Sequence, residues 1–506
     1  MKIIYFHQYF STPKGKAGIR SYYFSKKLVN EGNDVFVICL NDSRTNCGLR
    51  GDFDNGYRNG VVEGINVIQL SINYTNSKGF INRSLIFLNY SFKGIALAFK
   101  IKPDMIIATS TPLTVAIPAI IMRWIYGIPF IFEVRDLWPK LPIAMGIVKN
   151  KFIIKTLRTL EKLSYQSADF IIGLAPGICK DIIQENVPRD KVALIPNISD
   201  VNFFNLHEKN EEKEPLNLKF YDDSIKKSSF IAAFTGAHGL ANGLDNLLDV
   251  ANELKKMKRN DIKILFIGEG SLKKSLKKRA QKTKLKNCIF IDSLPKKELS
   301  KLLKESVHLG LMVLKNVPEF QDGTSPNKFF DYLACGLPVI NNYPGWISTI
   351  INKNQLGFVV PPDNKKAFAK KLIDIADNKE SLKDLSKNCV DYASDNFSPE
   401  ILSSKFTIQV NKTYSKFKER KENYIFKVIY DLCKSLIDKV LAIFLIIFLS
   451  PLIILISIIV FINLGHPIFF IQERPGLNKK IFKLIKFRSM RNSFNTKEES
   501  INDSKR

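Results

Sequence analysis

Four short stretches combine glycines with charged or amide side chains in the way a phosphate site needs. The first is Gln8-Tyr9-Phe10-Ser11-Thr12-Pro13-Lys14-Gly15-Lys16-Ala17-Gly18-Ile19-Arg20. Gly15 and Gly18 would let the backbone approach a ligand, and a helix starting after them would turn free N–H groups toward an anion. Arg20 adds a forked donor suited to phosphate or carboxylate. A plain loop explains the same residues. The second stretch holds Gly236, His238, Gly239 and Asn242, with His238 either facing a diphosphate or satisfying its own loop. The third is Ile267-Gly268-Glu269-Gly270-Ser271. The fourth, Ser325-Pro326-Asn327-Lys328-Phe329-Phe330-Asp331, sets Asn327 and Lys328 at a helix start where they can meet a diphosphate, while Asp331 can hold a ribose hydroxyl pair. Arg135 and Asp136 follow the apolar run Phe130–Val134, on the crevice side of an open α/β sheet; a strand-end ion pair is the competing explanation. Neither glycine-rich loop has dinucleotide spacing, which disfavours a dehydrogenase.

The elements that must position these residues alternate in type. Strands are expected at Lys2–Phe6, Asp34–Cys39, Val67–Leu70, Met105–Thr109, Phe130–Val134, Phe170–Leu174 and Val192–Ile195, with helices between them such as Ile19–Asn30 and Pro118–Tyr126. A second series runs through strands at Phe230–Thr235, Lys263–Ile267, Cys288–Asp292, Val307–Val313, Pro338–Asn341 and Phe358–Val360. This rhythm predicts an α/β fold of two doubly wound Rossmann-like domains, each a parallel sheet covered on both faces. The expected division is a first domain at 1–205, a linker at 206–228, a second domain at 229–398, a closing helix and linker at 399–424, and a C-terminal module at 425–506.

Composition narrows the partners. The 506 residues are 45% hydrophobic and 25% charged, and Lys+Arg exceed Asp+Glu by 76 to 48, for a net charge of +28. Seven cysteines without a Cys-x-x-Cys pair and five scattered histidines argue against a disulfide framework and a metal site. No signal peptide is read at the N-terminus. Val440–Ile462 is a run of 23 residues without a charge, long enough for a hydrocarbon core of about 30 Å. Pro451 after Ser450 interrupts it, which leaves a kinked spanning helix or a re-entrant one. Basic residues flank both ends, against a simple crossing. Lipid therefore suits this charge better than nucleic acid. Lys273–Lys286 reads as a solvated helix face ahead of an anionic-lipid contact, and Arg83–Lys102 as either a covering helix or a second membrane contact.

Taken together, YFHQYFSTPKGKAGIRSY, FEVRDLWP, LIPNISDVNFF, FTGAHGLANGLDNLLD and SPNKFFDYLACGLPVI resemble the retaining GT-B-fold glycosyltransferases of family 4, most closely those that build bacterial surface polysaccharides. Spread over roughly residues 1–410, the resemblance implies a nucleoside-diphosphate sugar, UDP-linked, held by the second domain, and an acceptor presented by the first. It implies Asp136, Arg135 and Arg20 in catalysis. Gly15, Gly18, Gly236, His238, Gly239, Asn242, Gly268, Ser325, Asn327, Lys328 and Asp331 would hold the donor. It implies no metal ion and no cofactor, the nucleotide sugar being a substrate. The family's paired glutamates fall at Gly323 and Asp331, so only the second position carries a carboxylate. Residues 425–491, including Leu449-Ser450-Pro451, FIQERPGLNKKIFK and KFRSM, resemble the start of a bacterial sugar transferase, a monotopic phosphoglycosyl transferase with a re-entrant helix on the cytoplasmic leaflet. The catalytic Asp-Glu pair of that family would lie well beyond Met490, and Glu498-Glu499 reads as solvated charge. The expectation is thus a membrane-anchored glycosyltransferase on the cytoplasmic face of the cell membrane, extending a polyprenyl-diphosphate-linked saccharide, with a truncated module that anchors without catalysing. The rivals are a phosphoglycosyl transferase completed by a separate chain and a non-catalytic scaffold.

Overall fold

The computed structural model describes residues 1–74, 80–206, 229–419, 424–475 and 481–489. The linker expected at His207–Ser228, residues 420–423, Gly476–Lys480, Met490 and Glu498-Glu499 lie outside the described residues. The chain forms two units, 1–422 and 423–506.

The first unit contains two sheets. Strands β1 (Lys2–Phe6), β2 (Asp34–Asp42), β3 (Tyr57–Val62), β4 (Ile65–Tyr74), β5 (Met105–Thr109), β6 (Phe130–Val134), β7 (Phe170–Gly173) and β8 (Val192–Leu194) form the first, in the order β3-β4-β2-β1-β5-β6-β7-β8. Its central strands β1, β5 and β6 are apolar and almost wholly buried, as a sheet covered on both faces requires. All neighbours pair parallel except β3, which pairs antiparallel with β4 from Val62↔Ile65 to Tyr57↔Leu70. That strand was not expected from the sequence. It is an edge strand, nowhere fully buried, with Gly60 inside it and Val61 exposed, so it lacks the apolar run that marks a central strand. Strands β9 (Phe230–Thr235), β10 (Ile262–Ile267), β11 (Cys288–Ile291), β12 (Leu309–Met312), β13 (Val339–Asn341) and β14 (Gly357–Val359) form the second sheet, all parallel, in the order β11-β10-β9-β12-β13-β14.

Every strand that feeds the site runs into its loop at the carboxyl edge of a parallel sheet, where such folds bind ligands. The helix Pro399–Glu419 then returns to the first sheet. Phe406 stacks on Phe24 of the helix Arg20–Asn30, with ring centroids 4.2 Å apart, and lies 6.2 Å from Tyr5 of β1. Thr407 Oγ1 donates to Glu31 Oε1 at 3.1 Å.

In the second unit one helix runs from Tyr424 to Leu464 with Pro451 inside it. Ser450 Oγ donates to the Ile447 carbonyl at 2.7 Å, the acceptor that Pro451, four residues on, cannot serve. Its segment Asp438–Leu464 is 27 residues long and solvent-facing along its length. Strands β15 (Phe469–Pro475) and β16 (Ile481–Phe487) pair antiparallel after it.

Candidate active site

A cavity of about 560 Å³ opens between the carboxyl edges of the two sheets. On the first-sheet side it is lined by His7 and Tyr9 after β1, Thr111 after β5, and Arg135 and Asp136 after β6. On the other side stand Gly236, Gly268, Lys296, Asn327, Lys328 and Asp331. Gly18, from the loop after β1, completes the lining where it meets Asn327. A Cβ at Gly18 would lie 3.0 Å from Asn327 Nδ2. The same loop reaches across twice more: Lys16 Nζ donates to the Ser293 carbonyl at 2.7 Å, and Lys296 N–H to the Gly15 carbonyl at 3.3 Å.

The first-sheet wall is held by a hydrogen-bonded array. Asp136 Oδ2 accepts from Thr111 Oγ1 at 2.8 Å. Arg135 Nη1 lies 3.0 Å from His7 Nε2, and His7 Nδ1 lies 2.5 Å from Ser21 Oγ. A guanidinium only donates, so Nε2 accepts and the proton sits on Nδ1. Burial, with Arg135 and Arg20 nearby, drops the His7 pKa well below its usual 6.5, which keeps this ring neutral. Arg20 does not reach the cavity. It is 2% exposed, its Nε donates to Glu133 Oε1 at 2.7 Å, and its Nη1 donates to the Pro196 carbonyl. Tyr5 Oη donates to the other Glu133 oxygen at 2.9 Å. Burial raises the Glu133 pKa, but Arg20 and Arg135 outweigh it and hold the carboxyl below its usual value.

On the second-sheet wall, glycines make the close approach possible. Gly236 has φ +130° and Gly268 φ +145°, and a Cβ at Gly268 would sit 1.9 Å from the Gly236 carbonyl oxygen. Lys328, at the start of the helix Asn327–Ala334, donates to Asn242 Oδ1 at 2.9 Å and stands 3.9 Å from the centre of the Phe234 ring. Burial lowers its pKa to about 7. Asp331 accepts from Lys296 Nζ at 2.5 Å.

Six expected site residues stand behind this lining. Arg20 is in the buried ion pair described above. His238 is fully buried between Phe234, Phe266 and Phe290, and neither ring nitrogen has a hydrogen-bond partner among the described residues. Burial and nearby lysines lower its pKa to about 4. Asn242 is bound to Lys328 and to the Ala237 carbonyl. Gly239 has open space around it. Gly15 packs on Ser11 and Asn46, and Ser325 gives its carbonyl to Asn197 Nδ2 at 2.6 Å. Sequence reasoning missed His7 and Lys296. The signal for His7 is a polar residue at the carboxyl end of the first parallel strand. For Lys296 it is Pro295 opening a helix just past β11. The basic run Lys273–Lys286 is not wholly solvated either. Lys273 is 7% exposed and paired with Glu269 and Asp292, while Arg279 pairs with Asp245 and Asp249.

Residues 17–198 match the family described as glycosyl transferase 4-like domain, residues 219–391 that of glycosyl transferases group 1, and residues 429–506 that of bacterial sugar transferase. The chain belongs to the family 4, GT-B-type glycosyltransferases, with bacterial sugar transferase sequence after them. A probable glycosyltransferase, WbjE, of Pseudomonas aeruginosa is 23% identical over 54% of this chain and 66% of its own length. O-antigen chain mannosyltransferase C of Escherichia coli is 22% identical over 46% of this chain and 58% of its own. The match thus spans under two thirds of each relative. Among solved structures, sucrose-phosphate synthase of Thermosynechococcus elongatus overlays with a TM-score of 0.62 at 15% identity, covering 82% of this chain and 99% of that one. HepE of Anabaena, in complex with UDP and glucose, gives 0.58 at 14%, covering 81% and 100%. At these identities the overlays show the GT-B fold.

Proposed function

We propose that the chain moves a sugar from a UDP-linked donor to a polyprenyl-diphosphate-linked saccharide in the assembly of a surface polysaccharide. The observation that carries this reading is the cavity, which sets Lys328 and the Lys296–Asp331 pair opposite Arg135 and Asp136. The backbone at Gly236 and Gly268 receives the diphosphate. Lys328 and the N–H groups opening its helix meet the charge that grows on the departing UDP, already oriented before the reaction starts. Asp331 binds ribose hydroxyls, steered by Lys296. Asp136, held by Thr111, orients a sugar hydroxyl, and Arg135 faces the same space. Arg20 acts through Glu133, as a positioning residue. Asn242 fixes Lys328, and His238 shapes the loop that carries Gly236. The reading includes no metal ion or cofactor, and the family resemblance implies retention at the transferred carbon. The UDP in the HepE complex and the names of the curated relatives support the donor and the pathway class.

The division at 1–205, 206–228, 229–398, 399–424 and 425–506 is retained as part of this proposal. So is attachment to the cytoplasmic leaflet through a re-entrant 440–462. The experiment is UDP release and sugar transfer by the purified full chain. Lys328→Ala and Asp331→Ala should each abolish both, and retained activity in both variants would overturn the site assignment. Loss in both also rules out a scaffold role. The match of 429–506 to bacterial sugar transferases favours one second reading, phosphoglycosyl transfer to polyprenyl phosphate, which would release UMP instead of UDP.

A further inference from the structure

The helix Phe80–Ile101 is long and apolar enough to cross a membrane, yet it is built into the first sheet. Tyr90 is fully buried and donates from Oη to the Ile38 carbonyl at 2.7 Å. Its other side leaves Leu85, Leu88 and Phe92 exposed, Phe92 to 68%. It packs on the helix Ala116–Tyr126, which packs in turn on the helix Lys151–Ser167. On that third helix and the loop before it, Ile147, Phe152 and Ile153 are exposed, Phe152 to 78%.

Two further facts say what covers this row. Residues 80–102 and 145–160 contain eight Lys or Arg and no Asp or Glu. Glu161, the one acid on the third helix, accepts from Tyr165 Oη at 3.2 Å. Apolar side chains set among such an excess of cations complement an anionic lipid surface. The chain direction supplies the second fact. The first of these helices follows β4 and the third follows β6, so the turns with Leu85, Leu88, Phe152 and Ile153 begin at the carboxyl edge of the sheet. Arg135 and Asp136 lie on that same edge.

We propose that this face of the first sheet docks on an anionic membrane leaflet, apolar side chains inserted and lysines at the headgroups, so that the cavity edge faces the lipid from which the acceptor comes. The last clause rests on the acceptor proposed above; the docking does not. Full-length Phe152→Trp and Leu88→Trp proteins on equimolar phosphatidylcholine and phosphatidylglycerol vesicles with brominated acyl chains test it. Trp124, Trp138 and Trp346 of the unaltered chain set the baseline. Docking predicts a loss of emission from each added Trp beyond that baseline. Unquenched emission in both would overturn it, as would burial of the face by a second copy or by the rest of the chain. In parallel, Leu88→Asp with Phe152→Asp should cut transfer to a vesicle-embedded acceptor about tenfold while leaving UDP release from donor alone unchanged. Unaltered transfer would contradict docking. Failure of the unaltered chain to release UDP would instead sink the transferase reading and leave the quenching result standing.

Discussion

Lys328 carries a prediction that needs only binding data. Burial against Phe234 holds its ammonium near neutrality, with a pKa of about 7 in the free protein. The charged form binds the diphosphate, so affinity should fall as pH rises. Only about a tenth of the free protein carries the charge one unit above that pKa. Titration calorimetry with UDP from pH 7 to 8.5 should show Kd weakening by about an order of magnitude, and Lys328→Arg should flatten the slope. Glu133 gives a stability prediction of the opposite sign. Its folded-state pKa lies below the usual 4.5, so the Arg20 pair contributes fully above that value and is lost as pH falls through the folded one. Glu133→Gln leaves Arg20 buried without its counter-charge and should cost about 3–5 kcal/mol in denaturant unfolding at pH 7. The acid limb of the stability profile should become shallower, by the contribution of this one carboxylate. Sequence alone showed Arg20 as a cation near glycines but not its partner 113 residues away. An acid inside the apolar strand Phe130–Val134 was the available clue, since a buried carboxylate needs a cation.

At the scale of elements, the strand-to-glycine junctions separate into those where glycine is required and those where it is not. Gly268→Ala would drive a Cβ into the Gly236 carbonyl at a φ that side chains rarely adopt. It should destabilise the chain by about 2 kcal/mol or more and abolish UDP binding. Gly239→Ala, with φ −121° and open space, should behave like the unaltered protein in both assays. Differential scanning calorimetry and UDP titration of the two variants check the contrast. The central strands were legible because parallel strands buried on both faces read as continuous apolar runs. Lys2–Phe6, Met105–Thr109, Phe130–Val134 and Phe230–Thr235 match residue for residue. The antiparallel edge β3 was not, because its half-exposed residues carry no run. Which loop residues face the cavity was not legible either. Asn242 and His238 sit one layer behind Lys328 and Gly236, and that depth depends on the long-range packing of Phe234, Phe266 and Phe290.

For the whole molecule, the reading joins a pair of sheets to an apolar helix about 40 Å long, more than a bilayer core needs. Pro451 within it and basic residues beyond both ends favour entry and exit on one side. Single cysteines at Lys434 and Lys483 should then react with a membrane-impermeant maleimide from the same face of sealed vesicles. Reaction from opposite faces would make the helix a span. The central claim concerns chemistry. Radiolabelled UDP-sugars, offered to the full-length protein with a polyprenyl-diphosphate-linked saccharide in one vessel and polyprenyl phosphate in another, test it most directly. The account predicts label in an extended saccharide-lipid with release of UDP in the first vessel, and none in lipid in the second. Label transferred to polyprenyl phosphate with release of UMP would contradict it.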